Sequence, residues 1–161
     1  GTGVRRPVKA RTAAYAETIA RLVLRHSSAW EQLTGPDHEV LCGLQPPLGD
    51  LFSWIDAGVH EHGGQPWPAL QVALQGQDFA ARAEELMAYD GSQPLSRVVE
   101  DLDTTERDLR RSMLEIHIDV VGTAIDEASR LPQSDPARGE RLRELSRRQH
   151  ALLQQKHSLK S

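Results

Sequence analysis

The sequence predicts an all-α protein, in which a multi-helix bundle is followed by a long helix and a C-terminal two-helix hairpin. Ala, Leu, Glu, Arg and Gln, which favour helices, recur throughout, whereas the β-branched and aromatic runs typical of strands are nearly absent. The longest apparent strand, 116–121, lies inside a strongly helical pattern. With 161 residues, 39% of them hydrophobic and 26% charged, the chain is long enough to bury one core.

The first predicted helix covers about 11–26, because apolar residues recur at helical spacing from Tyr15 to Val23. Thr12 is its expected N-cap, since a hydroxyl there can accept a bond from an unpaired backbone N–H. Residues 1–9 before it are basic, contain a proline and show no period. We interpret them as a linker or a cloning remnant.

Shorter helices should complete the bundle, because apolar residues at helical spacing alternate with glycines and prolines that end or begin helices. We expect one apolar face of each to be buried, including Val72. The predicted helix starts, set by an N-cap or by a proline in the first turn, are Ser28, Pro36, Pro46, Pro68, Asp78 and Pro94.

The longest predicted helix runs from Thr104 to Leu131 and carries two apolar stripes. The first stripe consists of Leu109, Met113, Ile116 and Val120. The second consists of Leu114, Ile118, Val121 and Ile125. A helix that is apolar on two sides must be covered on two sides, so most of this helix should belong to the core.

Asp135 as an N-cap and Pro136 as a first helical residue predict a last helix that ends near Lys156. Because the loop before it is short, it should form an antiparallel hairpin with the long helix. Its apolar seam is narrow, which favours a projecting hairpin with surface left for another protein. The predicted units are a linker at 1–9, a bundle at 10–118, a hairpin at 119–157 and a tail at 158–161.

The formal net charge of −4 is unevenly distributed. Residues 1–34 and 133–161 each carry +4, whereas residues 35–91 carry −8 and residues 92–132 carry −4. An acidic chain is a poor nucleic-acid binder, so we expect no direct nucleic-acid contact. One cysteine allows no internal disulfide, and no apolar run is long enough to span a bilayer. We therefore expect a cytoplasmic protein that does not enter membranes.

No pattern of catalytic or cofactor-binding residues stands out. The seven histidines have no partners at metal-ligand spacing, and the acidic pairs lie among basic neighbours on predicted helix surfaces. Gly-rich phosphate loops, nucleophile elbows and paired cysteine motifs are absent from the sequence. We expect no metal, no cofactor and no enzymatic activity.

Three segments resemble the C-terminal domain of bacterial DNA primase of the DnaG type. They are Arg11-Thr through Trp30-Glu-Gln-Leu, then Thr105-Glu-Arg-Asp-Leu through Leu131, and finally Arg141-Leu-Arg-Glu-Leu through Gln155. The resemblance covers about residues 10–157 and depends on the order and spacing of helices. It implies a helical bundle with a two-helix hairpin that docks on the N-terminal domains of the hexameric DnaB-type replicative helicase and so couples primer synthesis to the replication fork.

Two sets of contact residues follow from this resemblance as hypotheses. An apolar seam rimmed by arginine suits a protein interface, and the helicase-binding set would be Leu142, Leu145, Arg148, Gln149, Leu152 and Leu153. Alternatively, these leucines pack the hairpin against the preceding helix. Some members of the family also bind the acidic C-terminal tail of single-stranded DNA-binding protein near a basic first helix, and the residues available here are Arg5, Arg6, Lys9, Arg11, Arg21 and Arg25.

Three other interpretations remain open. The chain could be the N-terminal domain of the replicative helicase itself, whose bundle is alike in fold, although such a domain should continue into a nucleotide-binding core. It could be the ligand-binding helical domain of a transcription regulator, which would need a large apolar pocket and a DNA-reading motif upstream. A helical enzyme is the least favoured, because no catalytic constellation is present.

Overall fold

The computed structural model describes residues 10–89 and 102–159, and every regular element within those ranges is a helix. The all-α prediction is therefore confirmed. None of the helices in those two ranges is long and apolar enough to cross a membrane. In chain order the elements are α1 (Ala10–Arg25), a 3₁₀ segment (Ser27–Gln32), α2 (Gly35–Cys42), α3 (Leu48–His62), α4 (Trp67–Ala73), α5 (Ala80–Tyr89), α6 (Leu102–Ser129) and α7 (Pro136–Leu159).

Three sequence predictions fall outside the described residues. They are the linker at 1–9, the short helix opened by Pro94, and the end of the tail at 160–161.

Helix α7 begins as the sequence predicts. Pro136 is its first residue, and the Asp135 Oδ1 atom accepts a hydrogen bond of 2.9 Å from the backbone N–H of Ala137. The predicted first residue of the long helix, Thr104, lies inside α6, which begins at Leu102. Two other predicted caps are wrong. Thr12 lies inside α1, and Ser28 lies inside the 3₁₀ segment, whose N-cap is His26.

Helix α1 is the centre of the bundle. Ile19, Val23 and Leu24 are fully buried, and α1 packs against α3, α5 and α6. Because burial of each large aliphatic side chain contributes roughly 2 kcal/mol, this one helix supplies a large part of the apolar stabilisation. The remaining bundle helices are arranged around it.

Trp30 joins three of the surrounding elements. Its side chain is 1% exposed, and its ring stacks on that of His38 in α2 with centroids 4.2 Å apart. The Trp30 Nε1–H donates a hydrogen bond of 2.9 Å to Asp56 Oδ1 in α3. A buried indole needs such a partner for its one donor. Trp30 therefore fixes the 3₁₀ segment against both α2 and α3.

Helix α6 belongs to two hydrophobic clusters, as its two stripes predict. Leu109, Met113 and Ile116 are buried in the main core with α1. Leu114 and Val121 are buried in a second cluster with Leu145 and Leu152 of α7. The two clusters overlap along α6, because Leu114 of the second lies between Met113 and Ile116 of the first.

Two predicted core positions are wrong. Val72 is 67% exposed, because the two-turn helix α4 buries Leu70 and Leu74 on the opposite side. Val120 is 42% exposed although it is in phase with Met113 and Ile116. The stripe continues in the sequence, but the described residues leave Val120 only partly covered.

The start of α3 requires a residue without a side chain. A Cβ atom added at Gly49 would lie 2.0 Å from the carbonyl oxygen of Leu44, which belongs to the backbone and has little room to move. Gly58 on the same helix has nothing within 4 Å of such an atom. Alanine substitutions at the two glycines should therefore have opposite effects on the stability of the protein.

We predict that Gly49→Ala lowers the free energy of unfolding by about 2 kcal/mol, because backbone must shift to admit the methyl group. Gly58→Ala should raise it by about 0.5 kcal/mol, because alanine loses less conformational entropy in a helix interior. Urea unfolding followed by circular dichroism measures both. Equal effects of the two substitutions would contradict the close contact at Gly49.

Candidate functional site

The C-terminal part of α6 packs against α7. The N-terminal end of α1 reaches α6 at Asp119, where the Thr12 Oγ1 atom donates a hydrogen bond of 2.9 Å to Asp119 Oδ2. Beyond it, Val121 and Ala128 of α6 pack in the cluster shared with α7. From Val120 to the end of α6 is ten residues, or about 15 Å of helix. In this stretch Val120 is 42% exposed, and Asp126, Glu127 and Ser129 are exposed as well.

The six residues predicted to bind a helicase lie on one side of α7 but differ in burial. Leu145 and Leu152 are buried against α6, and Leu142 packs on the same cluster, as the alternative interpretation held. Leu153, in contrast, is 45% exposed. Arg148 is exposed and Gln149 is half-buried. The leucine seam thus closes the hairpin, while Leu153 and Arg148 remain accessible.

Glu115 joins the hairpin to the bundle. It lies on α6 and is 1% exposed, yet its carboxylate pairs with two cations from different helices. Arg11 of α1 donates a hydrogen bond to Oε2, and the Lys156 Nζ atom of α7 lies 2.5 Å from Oε1. One side chain therefore connects α1, α6 and α7.

The Glu115 carboxylate stays ionised in this position. Burial alone would raise its pKa, but hydrogen bonds from Lys156, Arg11 and Tyr15 outweigh burial and hold the pKa below the ordinary value for glutamate. The same pair raises the pKa of Arg11 above its ordinary value, chiefly through the hydrogen bond to Glu115. The cluster is thus a charged network that needs all three members.

A cleft of about 570 Å³ lies where α6, α7 and the start of α2 meet. This volume is within the range of small-molecule sites in proteins. Buried Leu109 and Met113 belong to its apolar lining, and Arg110 and Arg148 reach it from two different helices. Its other lining residues are Gln32, Leu33, Thr34, Pro36, Asp37, Glu106, Leu114, His117, Leu152 and Gln155.

His117 and Asp37 form a partly buried hydrogen-bonded pair at this cleft. The His117 Nε2 atom lies 2.6 Å from Asp37 Oδ1. Burial would raise the pKa of Asp37, but hydrogen bonds from His117 and Thr34 hold it below its ordinary value. Because an ionised carboxylate can only accept, Nε2 must carry the proton. The other ring nitrogen, Nδ1, is buried and has no hydrogen-bond partner among the described residues.

The residues proposed for the acidic tail of single-stranded DNA-binding protein are partly described. Arg11, Arg21 and Arg25 lie within about 80° of one another around the axis of α1. Arg11 is exposed and pairs with Glu115, whereas Arg21 and Arg25 are half-buried. The three other residues of that set, Arg5, Arg6 and Lys9, lie outside the described residues.

The histidines have individual roles in the described part of the chain. His26 caps the 3₁₀ segment, His38 stacks on Trp30, and His60 lies 3.6 Å from the carboxylate of Asp56 on the same helix. Across residues 10–89 and 102–159, no group of three or more His, Cys, Asp or Glu side chains is placed to hold a metal ion.

The sequence reasoning missed Glu115, Lys156 and Asp37. A signal for Glu115 was present, because this glutamate interrupts an apolar run between Leu114 and Ile116. A charge at such a position on a two-sided core helix must be paired when buried. The sequence alone does not identify its partners, which come from both ends of the chain.

Comparison with known proteins identifies no relative, because no protein-family model, no curated protein and no solved structure matches the chain. The resemblance to the primase domain therefore depends on the helix order and the quoted segments.

We predict that Glu115→Gln lowers the free energy of unfolding at pH 7 by about 2 kcal/mol, the value of charge-assisted hydrogen bonds that the amide cannot replace. The pKa of Glu115 is lower in the folded state, so its contribution is complete above about pH 5. It is lost as pH falls through the folded pKa, because the unfolded chain binds the proton more readily. Urea titrations from pH 7 to pH 3 should show the gap to the unsubstituted protein closing.

The matched control is Glu144→Gln on the exposed surface of α7, which should change the unfolding free energy by less than about 0.5 kcal/mol at any pH. A gap for Glu115→Gln that stays constant down to pH 3 would contradict the ionised network.

Proposed function

We propose that this chain is a non-catalytic docking domain, the helicase-binding domain of a bacterial primase, and that it contacts the N-terminal domains of a hexameric replicative helicase through the α6–α7 hairpin. The observation that carries the proposal is the hairpin itself. Its second helix keeps Leu153 exposed and carries several exposed arginines. The resemblance of the three sequence segments supplies the identity of the partner.

The surface of α7 supports a protein interface. Arg141, Arg143, Arg147 and Arg148 are exposed along one helix, and residues 133–161 carry a net charge of +4. A helix that combines an accessible apolar side chain with exposed arginines has the composition that favours contact with another protein. Leu153 is the central candidate for this contact, with Gln149 one turn before it.

The burial of Leu142, Leu145 and Leu152 changes which residues are expected to bind. These three stabilise the hairpin and act on docking indirectly, by holding α7 in place. Removing α7 altogether would expose Leu114 and Val121 and would leave Glu115 without Lys156. A single substitution on the exposed surface is therefore a sharper test than truncation.

A second, weaker proposal concerns the basic side of α1. Arg11, Arg21 and Arg25 lie on one side of this helix, and we propose that they contribute to binding the acidic C-terminal tail of single-stranded DNA-binding protein. The same-side arrangement favours this proposal, because electrostatic attraction to an acidic peptide grows with clustered cations.

We predict that Leu153→Asp weakens binding to the helicase at least about tenfold, because it places a desolvated charge in an apolar contact. Calorimetric titration of the chain into the N-terminal domains of the replicative helicase of the same organism measures the dissociation constant. Since Leu153 is exposed, circular dichroism should show an unchanged fold.

The control is Val72→Asp, which places the same charge at an exposed valine on α4 and should leave the dissociation constant within about twofold. If the unsubstituted chain does not bind at about 50 µM, the docking proposal is wrong. If both substitutions leave the dissociation constant unchanged, the assignment of the helicase interface to the exposed face of α7 is wrong.

A further inference from the structure

We propose that the cleft between α6, α7 and the start of α2 is a binding site for a small aliphatic carboxylic acid. The carboxylate would contact Arg110 and Arg148, and the aliphatic chain would lie on the buried apolar residues between them. This inference goes beyond the docking role, and it does not depend on that role.

The cations indicate the charge of the ligand. Arg110 on α6 and Arg148 on α7 line the same cleft, and both are exposed. Neither forms an ion pair with another described residue, whereas Arg11 and Arg82 pair with Glu115 and Glu17. A guanidinium group binds a carboxylate through two parallel hydrogen bonds. Two such groups facing one cleft from different helices suit an organic anion.

The acidic residues of the cleft do not form ion pairs with these arginines. Asp37 already pairs with His117, within hydrogen-bond distance at 2.6 Å. Glu106 is exposed near the start of α6 and is the remaining acidic residue that lines the cleft. Two carboxylates and two guanidinium groups therefore line the cleft, and Asp37 does not compete for the arginines because it already accepts hydrogen bonds from His117 and Thr34.

The apolar lining indicates the body of the ligand. Five lining residues are less than 10% exposed. They come from the residue that follows the 3₁₀ segment, from α6 and from α7, and they are Leu33, Leu109, Met113, Leu114 and Leu152. Side chains of this kind bind aliphatic groups by burying apolar area. Among the lining residues His117 has the one aromatic ring, so stacking of a nucleobase is not favoured.

A buried polar atom gives an independent reason to expect a ligand. His117 is 7% exposed and lines the cleft, and its Nδ1 has no hydrogen-bond partner among the described residues. A buried nitrogen left without a partner destabilises a protein. Because Nε2 carries the proton, Nδ1 can only accept, so a hydroxyl group on the aliphatic chain of the ligand would satisfy it, whereas the carboxylate would not.

The two methionines provide a direct test. Met113 lines the cleft, and Met87 packs in the main core on α5 away from the cleft lining. The chain, labelled with ¹³C at its methionine methyl groups, is titrated with decanoate and observed by NMR. We expect the Met113 methyl signal to shift to saturation while the Met87 signal stays in place.

Substitutions of the arginines separate specific binding from general adhesion. Arg110→Gln and Arg148→Gln should each weaken decanoate binding about tenfold. The matched control is Arg147→Gln, an exposed neighbour on α7 that does not line the cleft, and it should change affinity less than about twofold. Decanol, which lacks the charge, should bind at least about tenfold more weakly than decanoate.

Several results would overturn the proposal. They are a Met113 signal that does not move at about 2 mM decanoate, a Met87 signal that moves equally, or equal affinity of the Arg148→Gln and Arg147→Gln proteins. Tight binding of decanol would remove the anionic part of the proposal. Because Leu153 is not in the cleft lining, the Leu153→Asp protein should bind decanoate normally, so failure of this site and failure of the docking role are distinguishable.

Discussion

The buried carboxylate of Glu115 is the interaction on which the arrangement of the last two helices depends. Burying a charge costs several kcal/mol, and the pairing with Arg11 and Lys156 offsets that cost. The apolar contact between α6 and α7 is narrow, and a narrow seam of leucines tolerates sliding along the helix axes. The ion pair between Glu115 and Lys156 would be broken by such sliding. Glu115 therefore sets the position of α7 relative to α6, and Arg11 ties both to α1.

Local periodicity was sufficient to predict most of the helices, the two stripes of α6 and the cap at Asp135. It was insufficient at Val72 and Val120, which have the right residue type in the right phase but no neighbouring element to cover them. Thr12 failed for a related reason, since its hydroxyl bonds to Asp119 of α6 instead of to its own helix. These errors occur where the deciding contact is distant in sequence.

The candidate sites follow the same rule. The seam on α7 was predicted from the sequence, but which of its residues face inward was not, because that depends on where Lys156 meets Glu115. The pair of His117 and Asp37 joins residues 80 positions apart. The cleft takes its lining from the 3₁₀ segment, α2, α6 and α7. The pattern of any single helix cannot predict a site that is formed by four elements.

Helix α6 is continuous over 28 residues from the bundle core to the hairpin tip, about 42 Å in length. It is one unbroken helix, and Glu115 ties it to its neighbouring helices. A force applied at the end of the hairpin would be transmitted along α6 to Leu109 and Met113, which lie in the packed core and resist movement. A partner that holds the tip therefore sets the orientation of the whole bundle, and not merely its distance.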